Sequence, residues 1–190
     1  MNRSLIAALA SVLSLSSAHA QAVDMSLARA QQNAASGDSG SARSILDSLL
    51  GTKLDGRMQR SEIEYWLLRY SATPAARERA LANFVVDYPF SPRIASAFYE
   101  LGTLELAHGD RERAAIHLSH YLASTTSDSN RTGASLTLGK VLFDLGETPR
   151  ACAVLLSARA EIPTTAIELR NQFDFAASPC RGVDTSVVVP

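Results

Sequence analysis

One segment of this chain occurs twice, and that internal repeat restricts the possible folds more than any other feature of the sequence. Residues 101–118 contain a Leu-Gly pair, a glycine followed by an acidic residue, an alanine and a final leucine. Residues 138–155 contain the same residue types at the same spacings, 37 positions later. Self-similarity at a fixed spacing of this length is typical of proteins built from stacked copies of one structural unit.

Each position of the repeated segment has a physical role, and together they predict two helices joined by a turn. Gly102 lacks a side chain, so a second helix can approach the first closely at that point. Gly109-Asp110 is suited to ending one helix and capping the next. Ala114 and Leu118 share one face of the second helix because they are four residues apart. The segment therefore predicts a helix-turn-helix unit.

Four positions of this unit recur in two further copies towards the N-terminus, at successive spacings of 38, 34 and 37 residues. The turn position holds Gly37, Ala75, Gly109 and Gly146; the small position holds Ala42, Ala80, Ala114 and Ala151; the large apolar position holds Leu46, Phe84, Leu118 and Leu155; and the close-approach position holds Ala30, Leu68, Gly102 and Gly139. This agreement predicts a stack of about four helix pairs, since each copy buries its apolar face against its neighbours.

Local start and stop signals place the individual helices. Ser61 with Glu64 matches a capping box, and Pro74 suits the first turn of the helix that follows. Two prolines in residues 88–92 end that helix. The predicted helices are residues 23–35, 42–50, 61–71, 74–87, 93–108, 111–123, 132–145 and 148–161, with a capping helix at 164–175. No stretch has the alternation of a strand, so the predicted fold class is all-α.

The start of the chain matches a secretory signal peptide. Arg3 supplies the positive charge, Leu5–Leu15 the short apolar core, and residues 18–20 the small-x-small cleavage site. Gln21 stands where a lipid-anchored protein would have Cys. These features predict a soluble, exported protein whose mature form begins near Gln21.

The sequence thus divides into a signal peptide (1–20), a helical repeat domain (21–175) and a C-terminal tail (176–190). The net charge of −1 does not favour a nucleic-acid partner.

The two cysteines, Cys152 and Cys180, would enter an oxidising compartment after export. A pair of cysteines in such a protein favours a disulfide, which would tie the chain beyond the capping helix to the last repeat. The alternative is a buried free thiol at Cys152 and an unrelated Cys180.

Residues that could carry chemistry are few. His117 and His120 stand three apart on a predicted helix and could share a metal ion, but no carboxylate or Cys completes the usual four ligands. Surface or packing histidines are the simpler interpretation. No Ser/His/Asp spacing or nucleophile motif occurs. The sequence therefore predicts no enzyme, no cofactor and no metal site.

The helix-pair pattern resembles the tetratricopeptide repeat (TPR) family, which has Leu-Gly in the first helix, Gly at the turn, Ala and a large apolar residue in the second helix, and Pro at the end. This implies an all-α TPR-like solenoid of about four antiparallel helix pairs with a C-terminal capping helix. Within that family, residues 80–102 and 136–163 look like the periplasmic Tol–Pal-associated cell-division coordinator family. The similarity lies in Phe84, Tyr88-Pro89, Ser91-Pro92, Tyr99, Leu101-Gly102, Leu138-Gly139, Leu145-Gly146-Glu147 and Ala151-Cys152.

The narrower resemblance implies a periplasmic adaptor that binds a protein partner of the Tol–Pal cell-envelope machinery. Two alternatives stay open. One is an accessory or chaperone-like subunit of outer-membrane assembly. The other is a peptidoglycan-acting accessory protein, for which residues 176–190 are too few to form a catalytic domain.

The TPR register also selects candidate binding residues. In TPR folds the first helix of each pair lines the groove, and residues four apart on a helix share a face. The selected pairs are Tyr65 with Arg69, Tyr99 with Thr103, and Leu136 with Lys140. They predict a stripe of aromatic and basic groups suited to a segment that carries carboxylates. The alternative is that Tyr65 and Tyr99 are half-buried packing residues.

Overall fold

A computed structural model of the protein describes residues 21–54, 56–70 and 73–185. The helices are α1 (residues 21–35), α2 (Ser39–Leu50), α3 (Arg57–Arg69), α4 (Pro74–Asp87), α5 (Ile94–Ala107), α6 (Arg111–Ser124), α7 (Arg131–Asp144), α8 (Thr148–Glu161) and α9 (Ile167–Ala176), followed by a 3-10 turn, Ser178–Cys180. These residues contain no strand, which confirms the all-α fold class.

The predicted signal peptide, residues 1–20, and the last five residues of the predicted tail lie outside the described residues. Among the helices that are described, none combines the length and the apolar character needed to cross a bilayer.

The chain divides into two compact units. The first contains the described residues up to Ala80 together with Val86–Arg93, and the second contains Leu81–Val85 and the chain from Ile94 onward. Each unit has a buried apolar core of its own.

The core of the first unit is built from α1, α2 and α3. Ala30 of α1, Ala42 and Leu46 of α2, and Ile63 of α3 are fully buried and belong to one apolar cluster. Ala30, Ala42 and Leu46 are the predicted close-approach, small and large apolar positions of the first repeat. The repeat register therefore identifies buried core positions in this unit.

In the second unit, two glycines mark where helices of a pair come closest. A Cβ atom added to Gly102 would lie 3.0 Å from Leu118 Cγ, and one added to Gly139 would lie 2.5 Å from Leu155 Cγ. Both distances are shorter than ordinary contacts, so only glycine fits without displacing a neighbour. The predicted close approach is confirmed. Gly109 makes the turn between α5 and α6 with φ of 85°, a conformation that glycine adopts readily.

The end of the second unit is closed by α9, the predicted capping helix. Phe173 of α9 is fully buried in a cluster with Leu155 and Ile162. The following 3-10 turn carries Cys180, which is joined to Cys152 of α8 by a disulfide with a Cα–Cα distance of 5.4 Å. The predicted pairing is therefore present, and it fixes the start of the predicted tail to the last repeat.

The predicted start of α3 is wrong. The helix begins at Arg57, not at Ser61, because Gly56 takes a φ of 109° and turns the chain into the helix earlier. The Ser61 hydroxyl donates to the Met58 carbonyl and lies 3.0 Å from the hydroxyl of Ser91. The predicted turn residue Ala75 is likewise helical, since α4 already begins at Pro74.

Candidate functional site

An aromatic and charged cluster in the first unit is formed by residues of α3 and by Arg93, which lies just before α5. Trp66 Nε1 donates a 2.9 Å hydrogen bond to Glu62 Oε1, one helical turn earlier. Arg93 binds the same carboxylate twice, with Nε 2.7 Å from Oε2 and Nη2 2.5 Å from Oε1. Its guanidinium also lies 5.2 Å from the centroid of the Trp66 ring. The carboxylate therefore holds Arg93 against the indole in a fixed geometry.

The hydrogen bonds of this cluster determine its charge state. Burial raises the pKa of Glu62, but the hydrogen bonds from Arg93 and Trp66 and the positive charge of Arg93 together lower it by more, so the pKa lies below its ordinary value. The hydrogen bond with Glu62 raises the pKa of Arg93. Both groups are charged at neutral pH, and the ion pair persists there.

Arg69, one of the predicted binding residues, is part of the same cluster. Its guanidinium lies 5.3 Å from the ring centroid of Trp66 and 6.0 Å from that of Tyr65. Tyr65 is only 1% exposed, and its ring packs edge-on against Trp66 at a centroid distance of 5.6 Å. Arg69 is exposed and Trp66 is half-buried, so these two side chains, rather than Tyr65, offer surface to a partner.

The second predicted pair lies on α5 in the second unit. Tyr99 is half-buried, and its ring centroid lies 5.1 Å from that of Tyr121. Thr103 is exposed one turn later and donates its hydroxyl to the Tyr99 carbonyl over 2.7 Å. Burial raises the pKa of the Tyr121 phenol, so this neighbour stays neutral. Tyr99 is thus a half-buried ring that packs against a second aromatic ring.

The third predicted pair lies on α7, also in the second unit. Lys140 is exposed, and Leu136 is half-buried one turn earlier. Leu136 packs on the cluster around Phe173, whereas Tyr99 packs on the cluster around Leu138. The two pairs of the second unit therefore contact different parts of its core.

The six predicted residues occur as three local pairs, each one helical turn long; the continuous stripe remains a prediction. Glu62, Trp66 and Arg93 were not predicted to form a unit. Arg93 is 31 residues from Glu62, so no local pattern joins them. The available signal was the Glu62–Trp66 spacing of four, which places both on one helical face.

A buried carboxylate on α5 is a second feature that the sequence did not predict. Glu105 is 1% exposed, and its Oε2 lies 2.6 Å from Nδ1 of His117 on α6. Arg113 Nη1 lies 3.7 Å from the other carboxylate oxygen. The rings of His117 and His120 stack on Phe98 at centroid distances of 6.0 and 5.0 Å. The hydrogen bond to Glu105 and packing on Phe98 therefore account for this histidine pair.

The repeat register shows why the Glu105–His117 pair is unusual. The corresponding residues 37 positions later are Leu142 and Val154. Leu142 is fully buried in the apolar core, so Glu105 places a carboxylate at a position that is apolar in the last repeat. Within residues 21–54, 56–70 and 73–185, no three His, Cys, Asp or Glu side chains gather as metal ligands would.

Comparison with known proteins identifies the fold. No model of a known protein family matches the chain, and no curated protein matches it. Among solved structures it is similar to a putative kinesin light chain from Podosopora anserina with nearly identical TPR-like repeats, with a TM-score of 0.60 and 14% identity over 83% of this chain and 84% of that chain.

Two further solved structures agree with this likeness. A single-residue variant of the same protein gives a TM-score of 0.61 at 14% identity over 85% of each chain. A protein named MamA gives 0.53 at 18% identity, over 78% of this chain and 90% of that chain. At these identities the likeness shows the fold alone, and the predicted TPR-like architecture is confirmed.

Proposed function

We propose that this protein is an exported adaptor that binds a protein partner in the Tol–Pal machinery of the periplasm. The observation that carries the binding role is the cluster of Glu62, Trp66, Arg69 and Arg93, in which two guanidinium groups lie 5.3 and 5.2 Å from the centroid of the Trp66 ring. Trp and Arg are the residue types that concentrate binding energy at protein interfaces. The fold supports a binding role, because stacked helix pairs offer extended surfaces to partners.

The proposed partner carries carboxylates beside an apolar side chain. Arg69 offers an exposed guanidinium next to the half-buried face of Trp66, so an acidic group and an apolar group can bind side by side. Lys140 offers a further exposed cation on the second unit. An extended or helical acidic segment has the matching chemistry.

The compartment is proposed from two observations. The disulfide between Cys152 and Cys180 is typical of proteins in an oxidising environment, and the start of the sequence has the pattern of a cleaved signal. N-terminal sequencing of the protein from a periplasmic extract is expected to begin at Gln21. Recovery of the uncleaved chain from the cytosol would contradict export.

The binding proposal is tested by reversing charge at the predicted surface. The double variant Arg69→Glu with Lys140→Glu is expected to weaken binding of purified Tol–Pal components at least ~10-fold, because carboxylates then face carboxylates. The matched control, Arg79→Glu with Arg181→Glu, changes two other exposed arginines and should bind like wild type.

Circular dichroism and thermal melting should show both double variants folded. Isothermal titration calorimetry measures binding by both double variants. If they bind equally well, the binding surface lies elsewhere.

A further inference from the structure

An apolar cavity of about 330 Å³ opens in the first unit, between the start of α3 and the turn that follows α4. Met58, Val86 and Phe90 line it and are 64, 75 and 92% exposed. They are three of the eight large apolar side chains that the described residues expose. Exposed apolar side chains scattered singly are ordinary, but several around one concavity mark an interaction surface.

The walls of this cavity are held in place by hydrogen bonds. The hydroxyls of Ser61 and Ser91 are buried and lie 3.0 Å apart, which joins α3 to the turn. Ser91 N–H donates to the Tyr88 carbonyl, and Arg57 Nη2 donates to the Asp87 carbonyl over 2.8 Å. Phe90 sits in this fixed turn, so its ring is displayed to solvent without the entropy cost of ordering a loop on binding.

The same patch carries one cation and one anion. Arg57 and Asp87 both line the cavity. The Arg57 guanidinium rests 5.8 Å from the Tyr88 ring centroid, while the Asp87 residue is exposed at the end of α4. The patch therefore contains an exposed aromatic ring beside an apolar cavity, and a positive side chain beside a negative one.

We propose that this patch, formed by Arg57, Met58, Ser61 and residues 86–91, is a self-association surface of two copies of this chain. In the proposed contact, Phe90 of each copy enters the cavity of the other, and Arg57 of each faces Asp87 of the other. A twofold contact places one patch against itself, so the patch must contain both members of every complementary pair. The patch meets that requirement, because it contains both the Phe90 ring and the cavity, and both the cation Arg57 and the anion Asp87. A foreign partner would require only one member of each pair.

The expected dimer is weak. The patch is formed by nine lining residues, whereas a stable interface uses about 20–30 residues a side. Since even interfaces of standard size can bind as weakly as micromolar, we expect a monomer–dimer equilibrium with a dissociation constant of about 1 µM or higher. The patch shares no residue with the Trp66 cluster, so this inference does not rest on the proposed function.

The first test is sedimentation velocity of the mature, oxidised protein over a concentration series. Wild type is expected to shift from monomer to dimer as concentration rises, and Phe90→Ser is expected to raise the dissociation constant at least ~10-fold. Phe90 is 92% exposed, so this change leaves the core intact. The matched control is Phe175→Ser, at an 83% exposed phenylalanine of α9, which should dimerise like wild type. Wild type that stays monomeric throughout would overturn the proposal.

The second test separates contacts between copies from contacts within one copy. The proposed contact contains two Arg57–Asp87 pairs. In Arg57→Glu, both pairs bring two negative groups together. In Asp87→Arg, both pairs bring two positive groups together, so each variant alone should be monomeric. A 1:1 mixture of the two variants should dimerise, because the introduced glutamate of one copy then faces the introduced arginine of the other, and the unchanged Asp87 faces the unchanged Arg57. Melting curves establish that each variant is folded. A mixture that stays monomeric where wild type dimerises would overturn the proposal.

Discussion

At the scale of single residues, Gly139 sets the distance between α7 and α8. An added Cβ would lie 2.5 to 2.9 Å from three side-chain carbons of Leu155. Leu155 is fully buried in a cluster with Ile162 and Phe173, so it has little room to move away. The helix contact therefore depends on the absence of a single methyl group.

We expect Gly139→Ala to lower the free energy of unfolding by about 1–3 kcal/mol, because the methyl group overpacks the contact with Leu155. Gly133→Ala is the matched control in the same helix. No atom lies within 4 Å of its Cβ position, so alanine should be neutral or stabilise the helix by up to about 1 kcal/mol. Urea unfolding measures both. Equal effects of the two changes would show that the repeat register is wrong.

The Glu105–His117 pair gives a second prediction at this scale. His117→Val alone leaves a buried carboxylate without its 2.6 Å partner and is expected to cost about 1–3 kcal/mol. The double variant Glu105→Leu with His117→Val copies Leu142 and Val154 of the last repeat. It should be as stable as wild type or more so, since replacing both partners of a buried hydrogen-bonded pair by apolar groups is often neutral or stabilising.

A double-mutant cycle in urea measures this coupling. A double variant that is less stable than His117→Val alone would show that this repeat needs the polar pair.

At the scale of whole helices, α6 and α8 begin differently although they hold equivalent places in successive repeats. The Asp110 carboxylate accepts a hydrogen bond from the Arg113 backbone N–H at the start of α6. Glu147 stands at the same place before α8, but its side chain makes no capping bond. The shorter aspartate reaches the free backbone donors of the first turn, as N-cap residues do.

We expect Asp110→Ala to lower the free energy of unfolding by about 0.5–2 kcal/mol, because a backbone donor of α6 loses its partner. Glu147→Ala removes an acid at the equivalent position and should change stability by less than about 1 kcal/mol, since only its exposed ion pair with Arg150 is lost. Thermal melting of both variants at neutral pH checks this. A larger loss from Glu147→Ala would contradict the capping assignment.

Helix bounds were predictable where no long-range contact competed with the local start and stop signals. The bounds of α8, Thr148–Glu161, agree with the sequence prediction, since Pro149 and Pro163 limit it on both sides. The start of α3 was not predictable. Ser61 and Glu64 match a capping box, but the Ser61 hydroxyl instead lies against the hydroxyl of Ser91, 30 residues away. Long-range contacts of this kind leave no local trace.

At the scale of the whole molecule, the repeat spacing was enough to predict the fold, because the small and close-approach positions recur wherever helices pair. Of the four predicted small positions, Ala42, Ala114 and Ala151 are fully buried, whereas Ala80 is half-buried. The candidate surfaces were predictable only in part. The register selected Arg69, but the buried state of Tyr65 and the position of Arg93 depend on how distant segments meet.

The two compact units allow a prediction about unfolding. The chain has one tryptophan, Trp66, which lies in the first unit, whereas the disulfide Cys152–Cys180 lies in the second. The disulfide links two residues 28 positions apart and so lowers the conformational entropy of the unfolded chain. This is expected to stabilise the folded second unit by about 3–4 kcal/mol. Tryptophan fluorescence therefore reports on the first unit, and far-UV circular dichroism reports on both.

We expect the double variant Cys152→Ala with Cys180→Ala to unfold at lower denaturant by circular dichroism, while the midpoint of the fluorescence transition stays near that of wild type. In repeat proteins, stability is a sum of local and nearest-neighbour terms, so a loss at the last repeat acts weakly on a distant one. Reduction of the wild-type protein should reproduce the effect, and the oxidised protein should show no free thiol by mass spectrometry. If both signals move together by the same amount, the chain unfolds as one cooperative body, and the disulfide stabilises Trp66 as much as it stabilises α8.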